Sequence, residues 1–446
     1  MPHRVTYHHP SYLRYHSDSF HKRCLGFAHK GFGSRVNGNT LHGWMTASSL
    51  ARRTAEALLR AAGRRHLARW DSLTPTCGQR RILLGLLHRA QTTRFGREHD
   101  FRRIRTVADF RRLVPLTTRA QLWRDYWQPV YPHLEGATWP GSAAKHSAVS
   151  EATRLTPPSP ELQAAHRSAL QTAFALMGHV RPHTRLLADT FLFLADEGPS
   201  NRTEPAVLAQ RLPILLRPFT EAVADFQIER WSRRSVSLLL GPAERLLSLM
   251  EQIKQARGKR AARDVWPNLA ALVYTRRPNA APIDRFRAEV GDDVLLLEMA
   301  GRAEGPLTVE DPRFGLPRLL FDHGVYFEFV PPAEAAEPRC PRYGIDEIEV
   351  GLPYELVVTS PAGLWACRIG RTVCLEQRHP PLLRFVESSE PQSATAPPRR
   401  TRRTDLVIEA LTPPRSPAFR PRSDGIGATP PENAFHTPWS IRADQG

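Results

Sequence analysis

Across residues 51–94 apolar side chains recur at helical spacing, at Leu58, Leu59, Leu67, Ile82, Leu83, Leu86 and Leu87. That spacing lines one face of a helix, and Pro75 interrupts the stretch, so two amphipathic helices are predicted. Residues 94–97 read as a turn, and the run 107–115 as a short helix that Pro115 ends. A longer helix is predicted from Ser159 to Met177: a cap hydroxyl precedes Pro160 at the first helical position, and Leu162, Ala165, Leu170 and Phe174 supply the apolar face.

Between residues 185 and 350 two periods alternate. Helical spacing at 218–231 and 242–256 is interleaved with strand-like runs at 269–274, 294–297 and 325–330, and another strand-like run lies at 354–359. Helices interleaved with strands imply an α/β architecture. The two ends lack either period. Residues 1–44 are rich in His, Tyr, Gly and Arg and read as a disordered or mis-assigned N-terminal extension, with Met45 as an alternative start. A metal-binding tract built on its scattered histidines, His8-His9 among them, is the rival reading. After residue 386 the composition turns to Ser, Pro, Thr and Arg, and residues 387–446 read as a disordered tail around one short apolar stretch at 406–411. The expected division is thus 1–44, a folded domain over 45–386, and 387–446.

Composition changes this picture little. With 446 residues, 41% of them hydrophobic, the chain can bury a sizeable core. Sixty-two Lys and Arg against 44 Asp and Glu leave a net charge of +18, which would suit nucleic acid, an anionic membrane or acidic small molecules. The arginines are spread along the whole chain, however, and accompany 40 prolines, so the excess reads as compositional bias and neither nucleic acid nor membrane is an expected partner. Five cysteines without a CxxC pair or a nearby His cluster argue against a disulfide scaffold or a zinc site. With no apolar run of about 18 residues and no signal-like N-terminus, a cytoplasmic location is expected. Nothing in the chain speaks to oligomeric state.

Several ordered segments carry more specific information. Arg94-Phe95-Gly96-Arg97-Glu98-His99-Asp100-Phe101 is followed by the run 107–115, then Trp139-Pro140-Gly141, Trp266-Pro267-Asn268-Leu269 and Glu304-Gly305-Pro306. Residues 324–331, Tyr354-Glu355-Leu356-Val357-Val358-Thr359 and Gly363-Leu364 complete the series. In this order they resemble the acyl acid-amido synthetases of the auxin-responsive promoter family. The resemblance implies the large N-terminal domain of an adenylate-forming ligase, with mixed sheets flanked by helices and a small β-rich subregion near 320–386. It implies a reaction in which ATP, with Mg, converts a small carboxylic acid to an acyl-AMP, from which an amino acid displaces AMP to leave an amide. The family's smaller C-terminal domain finds no counterpart in residues 387–446.

Three nucleotide motifs of the family fall on altered residues. The phosphate loop, roughly Ser-Ser-Gly-Thr-Thr-Gly, aligns with 146–151; Ser147, Ser150 and Arg154 still offer donors to an anion. Its glycines have become Ala148 and Glu151, and a carboxylate 4 Å from a phosphate charge repels it by roughly 4 kcal/mol at an effective dielectric of about 20. The second motif keeps Glu304, which the resemblance makes the metal carboxylate, and Gly305, but replaces the adenine-stacking aromatic by Ala300 and a hydroxyl by Ala303. The third keeps Arg368 and Gly370 and places Arg371 where an Asp would accept the ribose hydroxyls, a role a guanidinium cannot perform. Glu304 and Arg368 stand as catalytic candidates, against plainer readings as a strand-end cap and a surface charge. Three functions stay open: a relative with lost or much reduced adenylation activity, needing no cofactor; an active ligase with an atypical nucleotide site; and a basic interaction protein acting through its Arg-rich tail.

Overall fold

The helical spacing of the first segment resolves into α1 (Ser49–Ser72) and α2 (Pro75–Ala90) in a computed structural model that describes residues 49–141, 159–184, 187, 189–194, 220–223, 227–275, 283–334 and 340–386. Pro75 opens the second helix instead of breaking the first, because its missing N–H lies among the donors a helix start leaves unused. Leu83, Leu86, Leu87 and Ala90 form the buried stripe of α2. Helix α3 (Arg94–Glu98) is capped by Thr93, and α4 (Val107–Leu113) by a reciprocal Thr106/Asp109 box; α4 stops at Leu113, leaving Val114 extended ahead of Pro115. After α5 (Arg119–Leu122) comes α6 (Pro160–Val180), whose cap is Ser159 and which runs one turn past Met177. The remaining helices are α7 (Ile228–Ser232), α8 (Ala243–Arg257) and α9 (Ile283–Val290).

The described strands form one twelve-stranded sheet. Its first half is parallel, β3 (Thr220–Val223), β2 (Thr190–Leu194), β4 (Val236–Pro242), β5 (Ala271–Thr275) and β6 (Leu295–Ala300) lying side by side in that order. Central parallel strands are covered on both faces and therefore read as continuous apolar runs. Alternate residues divide between two cores: Leu192, Leu239, Leu272 and Leu296 pack with α8 and α9, while Phe191, Leu238, Val273 and Leu297 join the larger core that α6 also enters. Helical spacing at 218–231 is overridden in part: among the described residues of this stretch, 220–223 is a strand paired with β2 and 228–232 is helical.

From β6 the sheet continues antiparallel through β7 (Thr308–Asp311), β8 (Leu316–Leu319), β12 (Leu382–Val386), β11 (Leu364–Gln377), β10 (Pro353–Ser360) and β9 (Tyr326–Val330). The β-rich region expected near 320–386 is thus larger, begins at residue 308, and extends the same sheet. A two-residue strand, β1 (Thr117–Thr118), pairs with β11 off the main path. Residues 1–44 and 387–446 lie outside the described residues, and no described helix is long and apolar enough to cross a membrane.

One buried amide ties α2 to this sheet. The Gln79 Nε2 group donates to Phe321 O at 2.7 Å and Val325 O at 2.9 Å, and its Oε1 accepts from Phe327 N at 2.6 Å. A leucine at position 79 would leave three buried backbone groups unpaired, so Gln79→Leu is expected to lower stability in urea unfolding by about 2–4 kcal/mol.

Candidate functional site

Where β6 ends at Ala300 the chain reverses through Gly301 and Gly305 before entering β7. Gly301 takes φ +96, and a Cβ on it would lie 2.1 Å from Gly305 O, so the turn admits no side chain there. Gly305 N bonds to Arg302 O at 3.1 Å and Leu307 N to Ala300 O at 2.9 Å, closing the loop on itself. From α6, the ring Nε2 of His166 contacts Arg302 O at 2.9 Å. The turn that carries Glu304 is therefore held from both sides.

Glu304 is buried, and its Oε2 accepts from Arg119 Nη2 at 3.0 Å. Arg119 owes its place to the residues before it. Thr117 and Thr118 pair in parallel with Cys367 and Arg368, and Thr117 Oγ1 donates to Trp365 O at 2.7 Å. Thr118 then caps α5: its Oγ1 accepts from Gln121 N at 3.2 Å, while Gln121 Oε1 accepts from Thr118 N at 2.8 Å. Arg119 is the next residue, the first of the helix.

The third motif lies on β11, and two register shifts against β10 shape it. Between the pairs Val358↔Cys367 and Ser360↔Leu364, β11 carries an extra residue, and Ala366 sits there at φ +42, a left-handed conformation costing about 1–2 kcal/mol. Its N–H donates to Thr359 Oγ1 at 2.8 Å. The second shift spans residues 369–371 and includes Gly370 at φ +66. Below them Trp365 anchors the strand, its ring 4.6 Å from Phe101 and 6.0 Å from Phe95, its Nε1 donating to Thr138 O at 2.9 Å.

These bulges aim the side chains. Arg368 Nε donates to Glu355 Oε2 at 2.9 Å, so the second acidic group of the region is also held by an arginine. The Arg371 guanidinium lies 5.6 Å from the centroid of the Phe385 ring. Cys367 is buried beside Arg368 on β11, and burial pushes its thiol up to about 12 against the pull of Arg119. Ala300 is buried in the main core, where a tyrosine would overpack by about 1–3 kcal/mol.

Of the residues singled out in sequence, Glu304, Gly305, Arg368, Gly370 and Arg371 fall on the β6–β7 turn and the bulged part of β11. The Arg119–Glu304 bond and the pairing of Thr118 with Arg368 bring the turn and β11 together. Ser147, Ser150 and Arg154 lie outside the described residues, as do Ala148 and Glu151. A few residues further on, Ser159 Oγ accepts from Leu162 N at 3.0 Å and donates to Pro361 O at 2.7 Å, pinning the start of α6 to the chain just before β11. Sequence reasoning missed Arg119 and Glu355. Glu355 was visible as a charged residue inside the segment 354–359 and Arg119 just past the run 107–115, but nothing local says what they face.

Residues 73–125 match the GH3 family N-terminal domain, and residues 318–387 match the GH3 family central domain. The fold is similar to the solved structure of the GH3.15 acyl acid amido synthetase, at 17% identity over 74% of this chain and 71% of that one, with a TM-score of 0.52. It is also similar to that of AtGH3.15 acyl acid amido synthetase in complex with 2,4-DB, at 14% identity over 80% of this chain and 72% of that one, with a TM-score of 0.53. No curated protein matches in sequence.

Proposed function

We propose that the chain is a relative of the GH3 adenylate-forming ligases, a reading its matches to that family's N-terminal and central domains support, and that residues 45–386 form a synthetase-like domain whose capacity to adenylate a carboxylic acid is lost or much reduced. The observation that carries this reading is the engagement of Glu304 by Arg119: the one acidic group left in the second motif is already neutralised by the protein itself. Two further features support it. Arg371 offers only donors where the ribose hydroxyls need an acceptor, and buried Ala300 offers no aromatic face to a base.

If the chemistry survives, its substrates are those of the family: ATP, a small carboxylic acid and an amino acid. The tight turn at Gly301 and Gly305 and the capped start of α6, a few residues past the phosphate-loop segment in sequence, favour that second reading, since helix starts of this kind suit anions.

ATP–pyrophosphate exchange on the full chain, across a panel of aliphatic and aromatic carboxylic acids, separates the two. Exchange is expected to stay at the no-enzyme background for every acid, with no micromolar ATP binding by calorimetry in the presence of magnesium. Exchange at rates of order 1 per second with any acid, an ordinary enzymatic turnover, would overturn the proposal.

A further inference from the structure

The residue that the resemblance assigns to magnesium does not meet the needs of that ion here. Magnesium asks for near-octahedral oxygen ligands and keeps several waters, so a carboxylate serving it must be open to solvent and free of competing cations. Glu304 has only 11% of its side chain exposed, and Arg119, itself 25% exposed, donates directly to its Oε2. The neighbouring Glu355 is engaged by Arg368. Among the described residues no three or more His, Cys, Asp or Glu side chains gather to hold a metal. Arg119 is also set independently of Glu304, by the β1 pairing, the Thr117 bond to Trp365 O and the Thr118 capping box. Its charge would stand beside Glu304 whether or not a ligand arrived.

We infer that Arg119 occupies the role of the divalent cation beside Glu304, and that Glu304 is a positioning residue for this guanidinium and binds no metal. A guanidinium has five N–H donors and the Glu304 contact uses one, so Arg119 keeps the capacity to grip a phosphate or carboxylate directly. The inference rests on the reading of 300–305 as the nucleotide-side turn.

Manganese serves as the probe, titrated into the full chain and monitored by the paramagnetic resonance of the free ion, with no nucleotide present. Wild type and Glu304→Gln are expected to give the same weak, non-saturating curve. Arg119→Met, which frees the carboxylate, is expected to gain one site at least about tenfold tighter, and Arg119→Met/Glu304→Gln to lose it. In thermal unfolding, Arg119→Met should lower the midpoint by several degrees, and the double variant should recover part of that loss. A saturable manganese site in wild type that Glu304→Gln abolishes overturns the inference, and so does a folded Arg119→Met protein that gains none. The first comparison decides the matter even where Arg119→Met does not fold. Exchange activity together with a metal-free Glu304 sinks the functional proposal alone; manganese at Glu304 without exchange sinks this inference alone.

Discussion

Stability should fall steeply as pH drops from 6.5 towards 4, driven by two histidines, His323 buried and His66 partly buried. Thr172 Oγ1 in α6 meets His66 Nε2 of α1 at 2.7 Å and His323 Nε2 of the loop before β9 at 2.8 Å. Burial is the main cause of both shifts: His66 is lowered to about 4, helped by Arg69, and His323 to about 3, helped by His66 and Arg318. The folded protein thus prefers both rings neutral, whereas the unfolded chain protonates them near pH 6.5. A depressed folded value makes this stabilisation complete above pH 6.5 and progressively lost as pH falls through the folded values. At about 1.4 kcal/mol per unit, the loss is on the order of 3 kcal/mol for each ring, large beside a typical domain stability of about 5–15 kcal/mol. Carboxylates held low by their partners act at lower pH; Glu347, lowered by its bonds to Arg111, begins to cost stability only below its ordinary value of 4.5. Unfolding midpoints recorded from pH 7.5 to 4 check this. His66→Gln and His323→Gln should each flatten the profile, and a double variant as steep as wild type contradicts the assignment.

Removing the carboxylate of Glu328 should cost about 3–5 kcal/mol, because it strands a buried arginine. Glu328 in β9 is 1% exposed, and burial pushes its carboxyl up against the pull of Arg342 and Arg111. Arg111 Nε donates to it at 3.2 Å from α4, and Arg342 Nη1 lies 3.5 Å away on the other side. Arg111 has a second partner in Glu347 and keeps a neutralising charge without Glu328. Arg342 is left with one 3.4 Å bond to Phe110 O and the Phe110 ring 5.5 Å from its guanidinium. Urea unfolding of Glu328→Ala should show the full loss, and Glu328→Ala/Arg342→Met should recover most of it, since two apolar groups leave no stranded charge. Equal losses in the single and double variants would place the cost in packing instead.

Much of the fold could be read along the chain wherever a single period dominates. The stripe of α2 and the Ser159-Pro160 start of α6 depend only on neighbours in sequence, and the structure matches them to within a turn. Residues 220–223 went the other way because pairing with β2 outweighs local helical spacing. The candidate site was half legible. Glu304, Gly305, Arg368 and Gly370 stood out because their motifs are short and contiguous, whereas Arg119 lies 185 residues from Glu304 and no local pattern connects them. The bulges of β11 were hidden for a similar reason, since a register shift is a property of two strands and residues 364–377 show only one of them.

The same remoteness sets when the site can exist. Thr117 reaches Trp365 across 248 residues, and Ser159 reaches Pro361 across 202. Contacts of such span close only after the intervening chain has surrendered its freedom, and they tend to form slowly. The turn at 300–305 and the cap at Thr118 can each form locally, but the charge constellation they share waits on these long-range closures.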